Sequence, residues 1–597
     1  MPPPEETPGE DPSVRHLPAR ELVGRLFPLV RPQWPSFGAG LALLVISVSA
    51  ELAGPLVLRH IIDVDIATDG RSGILLSAGV YAALFLVGTA ANWLQVVVLT
   101  RMGLAIITEL KETVFRHLLG LSIAYFDHHP PGRLLARVES DSERLQMLFS
   151  DVAIALLRTA ILLAGALTVM FLTNWRVTLG IVAFAVPIVF GTVQYFRRMR
   201  GRYRTVRGMV ARISGFISEY VQGVPILQVY GYEDEAARRL AKLNEDKVRT
   251  ERLTVVLENA FWGTLAAVEV AAITLVLYLG SGQVPGAVMS VGSLILFAEY
   301  TRRVFWPLAL FSEQLGFIQR AFASADRVFG VLDTPSQTAD RPAALATIPP
   351  DWRELSFDDV SFVYEGGTRA LDHVSFRVRR GETIAIVGLS GGGKSTMASL
   401  LMRFYEPTDG CIALDGVDIR VWRQHAWRAC IGFVQQDIHL FPGTVADNLR
   451  ALADDVSQDA VERAARTVGA DAVIARLPRG YDEPLNERGS NLSMGERQIL
   501  SYARALVHDP DLLILDEATS SVDPGTERRL QASMRQMLEG RTAIVIAHRL
   551  ATVVSASRIV VVHGGRIVEE GTHAALYAQG GVYRDLFDLQ FREAATA

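Results

Sequence analysis

The chain has 597 residues, half of them hydrophobic, with 59 Lys and Arg against 64 Asp and Glu and a net charge of −5; its mean hydropathy is +0.24. That length exceeds one ordinary domain and the hydropathy asks for a membrane-embedded part beside a soluble one, while the slightly acidic balance excludes a basic nucleic-acid binder. Two cysteines, Cys411 and Cys430, stand neither in a CxxC pattern nor near clustered histidines, which excludes a zinc site or a disulfide framework and leaves two reduced, buried thiols.

Taken in chain order, "MPPPEETPGEDPSVRH" predicts a disordered tail over 1–20, with neither the basic start nor the apolar core of a signal peptide. Residues 21–333 read as a transmembrane domain. Six apolar stretches lie near 36–58, 74–100, 152–172, 177–196, 256–280 and 289–311, each close to the roughly 20 residues that cross a bilayer as a helix. "SFGAGLALLVISVSAELAGPLVL" and "AVEVAAITLVLYLGSG" are apolar around the whole helix, unlike the one-sided helices of a soluble bundle.

Positive charge gathers after the second span, at Arg101, Lys111, Arg116, Arg133, Arg137 and Arg144, and after the fourth, in "RRMRGRYRTVRGMVAR" with Arg238, Arg239, Lys242, Lys247, Arg249 and Arg252. The opposite connections hold Arg59, Arg71 and Arg176. Both charged segments and both termini are therefore expected in the cytoplasm, in a multi-pass protein of the plasma (inner) membrane. Each charged segment keeps helical periodicity around one break, "YFDHHPPGR" at 125–133 and "GVPILQVYGYEDE" at 223–235. Glu51 and Glu269 fall inside spans, where an ionisable group needs a partner or a cavity; a structural hydrogen-bonding role and a substrate contact both stay open.

The aperiodic run "TPSQTADRPAALATIPP" predicts a linker over 334–351. From 352 to 597 strand-like runs ("TIAIVGLS", "LLILDEA", "TAIVIAHR", "RIVVVHGG") alternate with helical stretches, the rhythm of an α/β sheet with crossover helices. Here "GLSGGGKST", Gly388 to Thr396, matches GxxxxGK[ST] between a strand and a helix. In that setting the loop through Gly388, Ser390, Gly391 and Gly393 lets backbone N–H groups wrap phosphates. Lys394 reaches the β- and γ-phosphates, and Ser395 offers a hydroxyl to Mg2+, with Thr396 beside it. "LLILDEATSSVD" delivers Asp516 to the Mg2+ shell and Glu517 toward an attacking water.

Those motifs, with "FVQQDIHLF", "ERGSNLSMGERQ" and "AHRL" in order after six spans, resemble an exporter-type ABC transporter half along almost the whole chain. The resemblance implies an all-α six-helix transmembrane domain followed by an α/β P-loop ATPase domain with antiparallel β and helical subdomains. It also implies ATP and Mg2+ as cofactors. Tyr364 would stack on adenine, Gln436 would sense the γ-phosphate at the metal, His548 would hold the γ-phosphate, and the two breaks would be coupling helices.

In this family the signature loop, usually LSGGQ, serves the nucleotide of the opposite subunit. In "NLSMGERQ" Leu492, Ser493 and Gly495 are kept, while Met494 and Glu496 depart. Glu496 is mild, since a carboxylate accepts from a ribose hydroxyl as an amide does. Met494 puts a side chain where backbone and phosphate approach closely. The pattern resembles one half of an asymmetric heterodimer, with a homodimer as the alternative.

The expected activity is ATP-driven export of amphipathic, lipid-like or peptide substrates, through ATP hydrolysis by Lys394, Glu517 and His548. The expected partners are a second half-transporter, membrane lipid and a small-molecule or lipid substrate, without nucleic acid. Import of a metal-chelating compound and an ATP-gated regulatory protein are the competing readings.

Overall fold

The computed structural model describes residues 18–68, 71–280, 289–336, 340–341, 343–389, 391–451, 453, 455–516, 524–547 and 550–595. Of the candidate site residues, Ser390, Glu517 and His548 lie outside them. Two compact units are present, one of Met1–Leu119 with Pro131–Thr334 and one of Gly120–Pro130 with Pro335–Ala597.

The first unit is built from long helices: Trp34–His60, Arg71–Leu119, Ala153–Gln222, Glu233–Tyr278 and Val291–Leu332. Four stretches among the described residues are long and apolar enough to cross a membrane, Arg20–Asp65, Ser72–Leu119, Pro131–Gln222 and Glu233–Tyr278. The expected count of six is thus not reproduced. The third and fourth expected spans fall in one stretch, and the sixth lies in Val291–Leu332, which is not among the four.

The merged stretch has a break with a clear cause. Asn174 leaves helical geometry (φ −158°, ψ 100°), and its Oδ1 accepts from the N–H groups of Arg176 at 3.2 Å and Val177 at 3.4 Å. A short polar side chain so placed caps a new helix, so the chain turns within one residue. At about 1.5 Å per residue, the part after Asn174 runs roughly 70 Å, more than twice a hydrocarbon core.

Residues 1–17 of the expected tail lie outside the described residues. A helix begins at Ala19 and runs to Val30. Leu22 and Leu26 bury one side of it, and Arg25 donates to Asp333 at 2.6 Å. Apolar residues at i and i+4 carry this one-sided helix.

In the second unit a six-stranded sheet runs in the order β12-β11-β3-β10-β9-β6, and a four-stranded sheet in the order β2-β1-β4-β5. The strands are β1 Glu354–Val363, β2 Arg369–Arg379, β3 Thr383–Val387, β4 Asp409–Leu414, β5 Val417–Asp418, β6 Ile431–Val434, β7 Gly443–Thr444, β8 Pro484–Leu485, β9 Leu512–Asp516, β10 Thr542–Ile546, β11 Arg558–His563 and β12 Arg566–Gly571. β1, β2, β4 and β5 pair antiparallel; β11, β3, β10, β9 and β6 pair parallel. The expected mixture of parallel and antiparallel sheet is what forms.

Side chains alternate along the parallel strands, as a period of two requires. Ile384, Ile386, Ile514, Ile544 and Ile546 pack toward Leu355, Phe357 and Val374 of the antiparallel sheet. Ala385, Leu513, Leu515, Ala543 and Val545 pack toward the helical side, against Ile499, Leu530 and Met534. Burial on both faces is why these strands read as unbroken apolar runs.

The run read as a linker belongs largely to this unit. Leu345 bridges to Trp422, and Asp340 Oδ1 accepts from the Gln424 N–H at 2.8 Å. Both cysteines are free, and burial pushes the Cys430 thiol up to about 12, so it stays protonated and inert.

Candidate nucleotide site

Because β3, β10, β9 and β6 are parallel, their C-terminal ends share one edge of the sheet. Ile386 is in register with Ile546, and Ile546 with Asp516; Val434 is in register with Leu515. The chain leaves that edge into four candidate segments: the phosphate loop after Val387, Gln436 after Val434, Asp516 at the end of β9, and Ala547 at the end of β10. Ligands of open α/β sheets bind at this edge, where strands feed helix N-termini.

Two glycines of the loop have no substitute. A Cβ on Gly388 would lie 2.2 Å from the Val562 carbonyl oxygen, and one on Gly393 would lie 2.5 Å from that of Ala370. Gly393 also has φ +100°, which a side chain would strain. It caps the helix Lys394–Leu401, and the two glycines let the backbone approach the sheet closely at both ends of the loop.

Lys394 is buried and donates to the carbonyls of Gly388 at 2.8 Å and Leu389 at 3.0 Å. Burial pulls its ammonium below the ordinary value, with the Asp516 carboxylate opposing. Asp516 stands two strand spacings from β3, roughly 10 Å in backbone terms. Ser395 and Gly391 are exposed beside it, Thr396 is buried, and Gln436 is exposed.

Tyr364 follows β1 and its hydroxyl meets Thr396 Oγ1 at 3.1 Å. It lies edge-on to Phe362 at 4.8 Å and to Tyr405 at 5.4 Å. The Tyr364 hydroxyl thereby meets the first turn of the phosphate-loop helix. The Tyr405 hydroxyl donates to Asp127, and His128 Nε2 lies 3.1 Å from a Glu365 carboxylate oxygen. Asp127 and His128 belong to the short helix Ile123–His128, so the first break in the charged segments is tied to the aromatic cluster.

The signature segment is assembled on the helix Met494–Leu506 with Ser493 as N-cap. Ser493 Oγ accepts from the Glu496 N–H at 3.3 Å, and Glu496 Oε2 accepts from the Ser493 N–H at 3.0 Å and from its hydroxyl at 2.9 Å. This is a capping box. Glu496 therefore shapes the loop; the S-x-x-E spacing in "SMGE" is the signal that carries this role.

Met494 occupies the first helical position with helical backbone, so glycine's freedom is not needed there. Its sulfur accepts from Arg497 Nη2 at 3.6 Å. Gly495 is buried, and a Cβ there would lie 2.2 Å from Thr526 Cγ2. The second break forms the helix Val224–Tyr230, closed by Gly231 at φ +65°. Ile226, Val229, Tyr230 and Tyr232 are all more than half exposed.

A sheet edge carrying a phosphate loop, in a chain that also holds long apolar helices, defines a membrane protein with a fused nucleotide-binding domain. Residues 37–308 match the model of the ABC transporter transmembrane region, and residues 371–520 match the model described as ABC transporter. The chain is 33% identical over 552 residues to an uncharacterized ABC transporter ATP-binding protein, YfiC, of Bacillus subtilis, covering 92% of this chain and 91% of that one. It is 32% identical to an ATP-dependent lipid A-core flippase of Thiobacillus denitrificans, covering 96% and 99%. A solved bacterial Atm1-family ABC exporter with ATP bound superposes with a TM-score of 0.76 at 28% identity, covering 94% of this chain and 98% of that one.

The chain belongs to the ABC transporters of the exporter type. It is a multi-pass membrane protein that binds ATP, and its ATP hydrolysis drives export.

Proposed function

We propose that this chain exports an amphipathic, lipid-like molecule, hydrolysing Mg2+-ATP at the edge formed by β3, β10, β9 and β6. The observation that carries the reading is the buried Lys394 amine, folded onto carbonyls of its own loop and held below its ordinary basicity by burial. Incoming phosphates add to the counter-charge that Asp516 already supplies to Lys394. Lys394 then turns from loop carbonyls to β- and γ-phosphate oxygens, Tyr364 offers its ring to adenine, and Ser493 with the N–H groups of its helix faces the nucleotide of the opposite subunit.

Ser395, Gln436 and Asp516 are oxygen donors suited to Mg2+. An ion held there by one carboxylate would complete its shell with nucleotide phosphates and water. When bound, Mg2+ would neutralise charge developing on the transferred phosphoryl group. Glu517 is proposed to orient the attacking water and His548 to hold the γ-phosphate, on their motifs.

ABC half-transporters of this type work as dimers, and the exposed apolar face of Val224–Tyr230 fits docking on a second nucleotide domain. An unlike half is the favoured partner, because Met494 departs from the signature pattern that serves a partner's nucleotide. The alternative, a pair of identical chains, is supported by the helical backbone and the Arg497 contact of Met494. The relatives described as ATP-dependent lipid A-core flippases support a lipid-like substrate. Both termini are placed on the cytoplasmic side by the charge of the two segments.

The test is ATP hydrolysis by the purified assembly with and without Lys394→Ala. Loss of turnover by at least a hundredfold is expected, on the order of an essential electrostatic contact; wild-type turnover would sink the site. Expression of this chain by itself decides the partner, because vigorous coupled hydrolysis by a homodimer would refute the unlike half.

A further inference from the structure

Within the first unit, four helices bring charged and polar groups to one cavity. Arg158 Nη2 lies 2.7 Å from Glu51 Oε2, and Arg158 Nη1 donates to Asn92 Oδ1 at 2.8 Å. Arg303 Nη1 lies 3.4 Å from Glu51 Oε1 and donates to the Glu51 carbonyl at 2.8 Å. Glu51 is on Trp34–His60, Asn92 on Arg71–Leu119, Arg158 on Ala153–Gln222 and Arg303 on Val291–Leu332. All four residues fall inside stretches expected to span the membrane.

These groups line a cavity of about 320 Å³ together with Ser47, Tyr81, Thr89 and Phe85. Two guanidinium groups face one carboxylate, so the cluster carries one uncompensated positive charge. The neighbouring Arg302, engaged by Glu269 at 3.3 Å and Glu299 at 4.0 Å, forms a separate, net negative group of one arginine and two carboxylates that does not line the cavity. Glu51, Arg158 and Arg303 are each about one-quarter to one-third exposed, so a ligand in the cavity can reach them.

An unpaired charge among apolar helices is costly, and such groups pair or mark a pathway. A purely structural clamp is complete with one arginine per carboxylate; the second arginine leaves room for an anion. We propose that this cavity binds the anionic head group, a carboxylate or a phosphate ester, of an amphipathic substrate. The volume is near the lower end of ligand pockets, roughly 300 Å³, which suits a head group and leaves an apolar tail to lie along Phe85, itself 66% exposed. The inference rests on the export reading and names the chemistry of the molecule exported.

The test reads binding without nucleotide, so that its failure leaves the ATPase reading standing. The full chain in zwitterionic nanodiscs is loaded with dansyl-undecanoate, with empty nanodiscs as background. Displacement by laurate, dodecyl phosphate, dodecylamine and dodecanol, all of one chain length, is then measured. In the unmodified chain both anions should compete at least about tenfold better than the amine or the alcohol. Laurate and dodecyl phosphate no better than dodecanol would overturn the proposal, and this arm needs no variant.

Substitutions then separate a binding site from a clamp. Glu51→Gln removes the competing carboxylate and should tighten anion binding about tenfold, while Arg158→Gln and Arg303→Gln should each weaken it by about the same factor. A clamp predicts that all three, which break the same ion pairs, shift binding in one direction; that result would overturn the proposal. ATP binding by each variant reports that it has folded.

Discussion

Removing the Glu496 side chain is expected to loosen the signature loop before it touches any phosphate. In Glu496→Ala, the Ser493 N–H loses its acceptor at 3.0 Å and the Ser493 hydroxyl loses one at 2.9 Å. The Ser493-to-Glu496 bond at 3.3 Å survives. The lost N–H contact to a charged acceptor contributes about 1–2 kcal/mol, discounted because Glu496 is partly exposed and also shares Arg476 at 3.8 Å. A net cost of about 1 kcal/mol for local opening follows. Hydrogen exchange over residues 488–500 should speed about fivefold in Glu496→Ala. In Glu496→Gln it should stay within about twofold, since the amide oxygen takes the same bonds. Unchanged exchange in the alanine variant, or equal acceleration in both, would refute the capping role.

Tyr405→Phe and Asp127→Ala each cut the link between the aromatic cluster and Ile123–His128, so transport per ATP hydrolysed should fall several-fold while nucleotide affinity stays within about twofold; parallel loss of both would point to misfolding. Replacing Tyr230 and Tyr232 together with alanine should lower transport with ATP binding nearly intact, because both rings are exposed on this chain and act by contact with a partner; equilibrium nucleotide binding beside vesicle transport checks this. Glu382 offers a pH test: burial raises its pKa, but Arg558 at 2.8 Å and the Arg379 N–H bring it to a net value below the ordinary 4.5. Its stabilising effect is therefore present above the unfolded pKa and lost as pH falls through the lower, folded one, and Arg558→Ala should move acid unfolding of the nucleotide unit to higher pH; an unmoved midpoint would contradict the pairing.

Local patterns made much of the fold legible. "TIAIV", "LLILD" and "TAIVI" are unbroken apolar runs because the parallel strands are covered on both faces, and GxxxxGK[ST] between a strand and a helix locates the phosphate loop. Distance along the chain hid the rest. Glu51 is visible as an ionisable residue in a span, yet its partners are 107 and 252 residues away. Asp127 and Tyr405 are 278 residues apart. The expected break between the third and fourth spans, at 172–177, falls on the one-residue turn at Asn174, where a cap replaces a loop. Glu496 is legible as S-x-x-E, the capping-box spacing, which LSGGQ shares as S-x-x-Q. Glu517 and His548 are read from motif alone, because they lie outside the described residues.

The most direct test of the central claim is uptake into inside-out membrane vesicles that contain this chain and its partner half. The substrate is a radiolabelled anionic amphipath, supplied with Mg2+-ATP or with a non-hydrolysable analogue. The account predicts accumulation inside the vesicles with ATP, none with the analogue, and none in Lys394→Ala vesicles. Accumulation that proceeds equally with the analogue, or ATP-dependent loss of preloaded substrate from the vesicles, would contradict ATP-driven export.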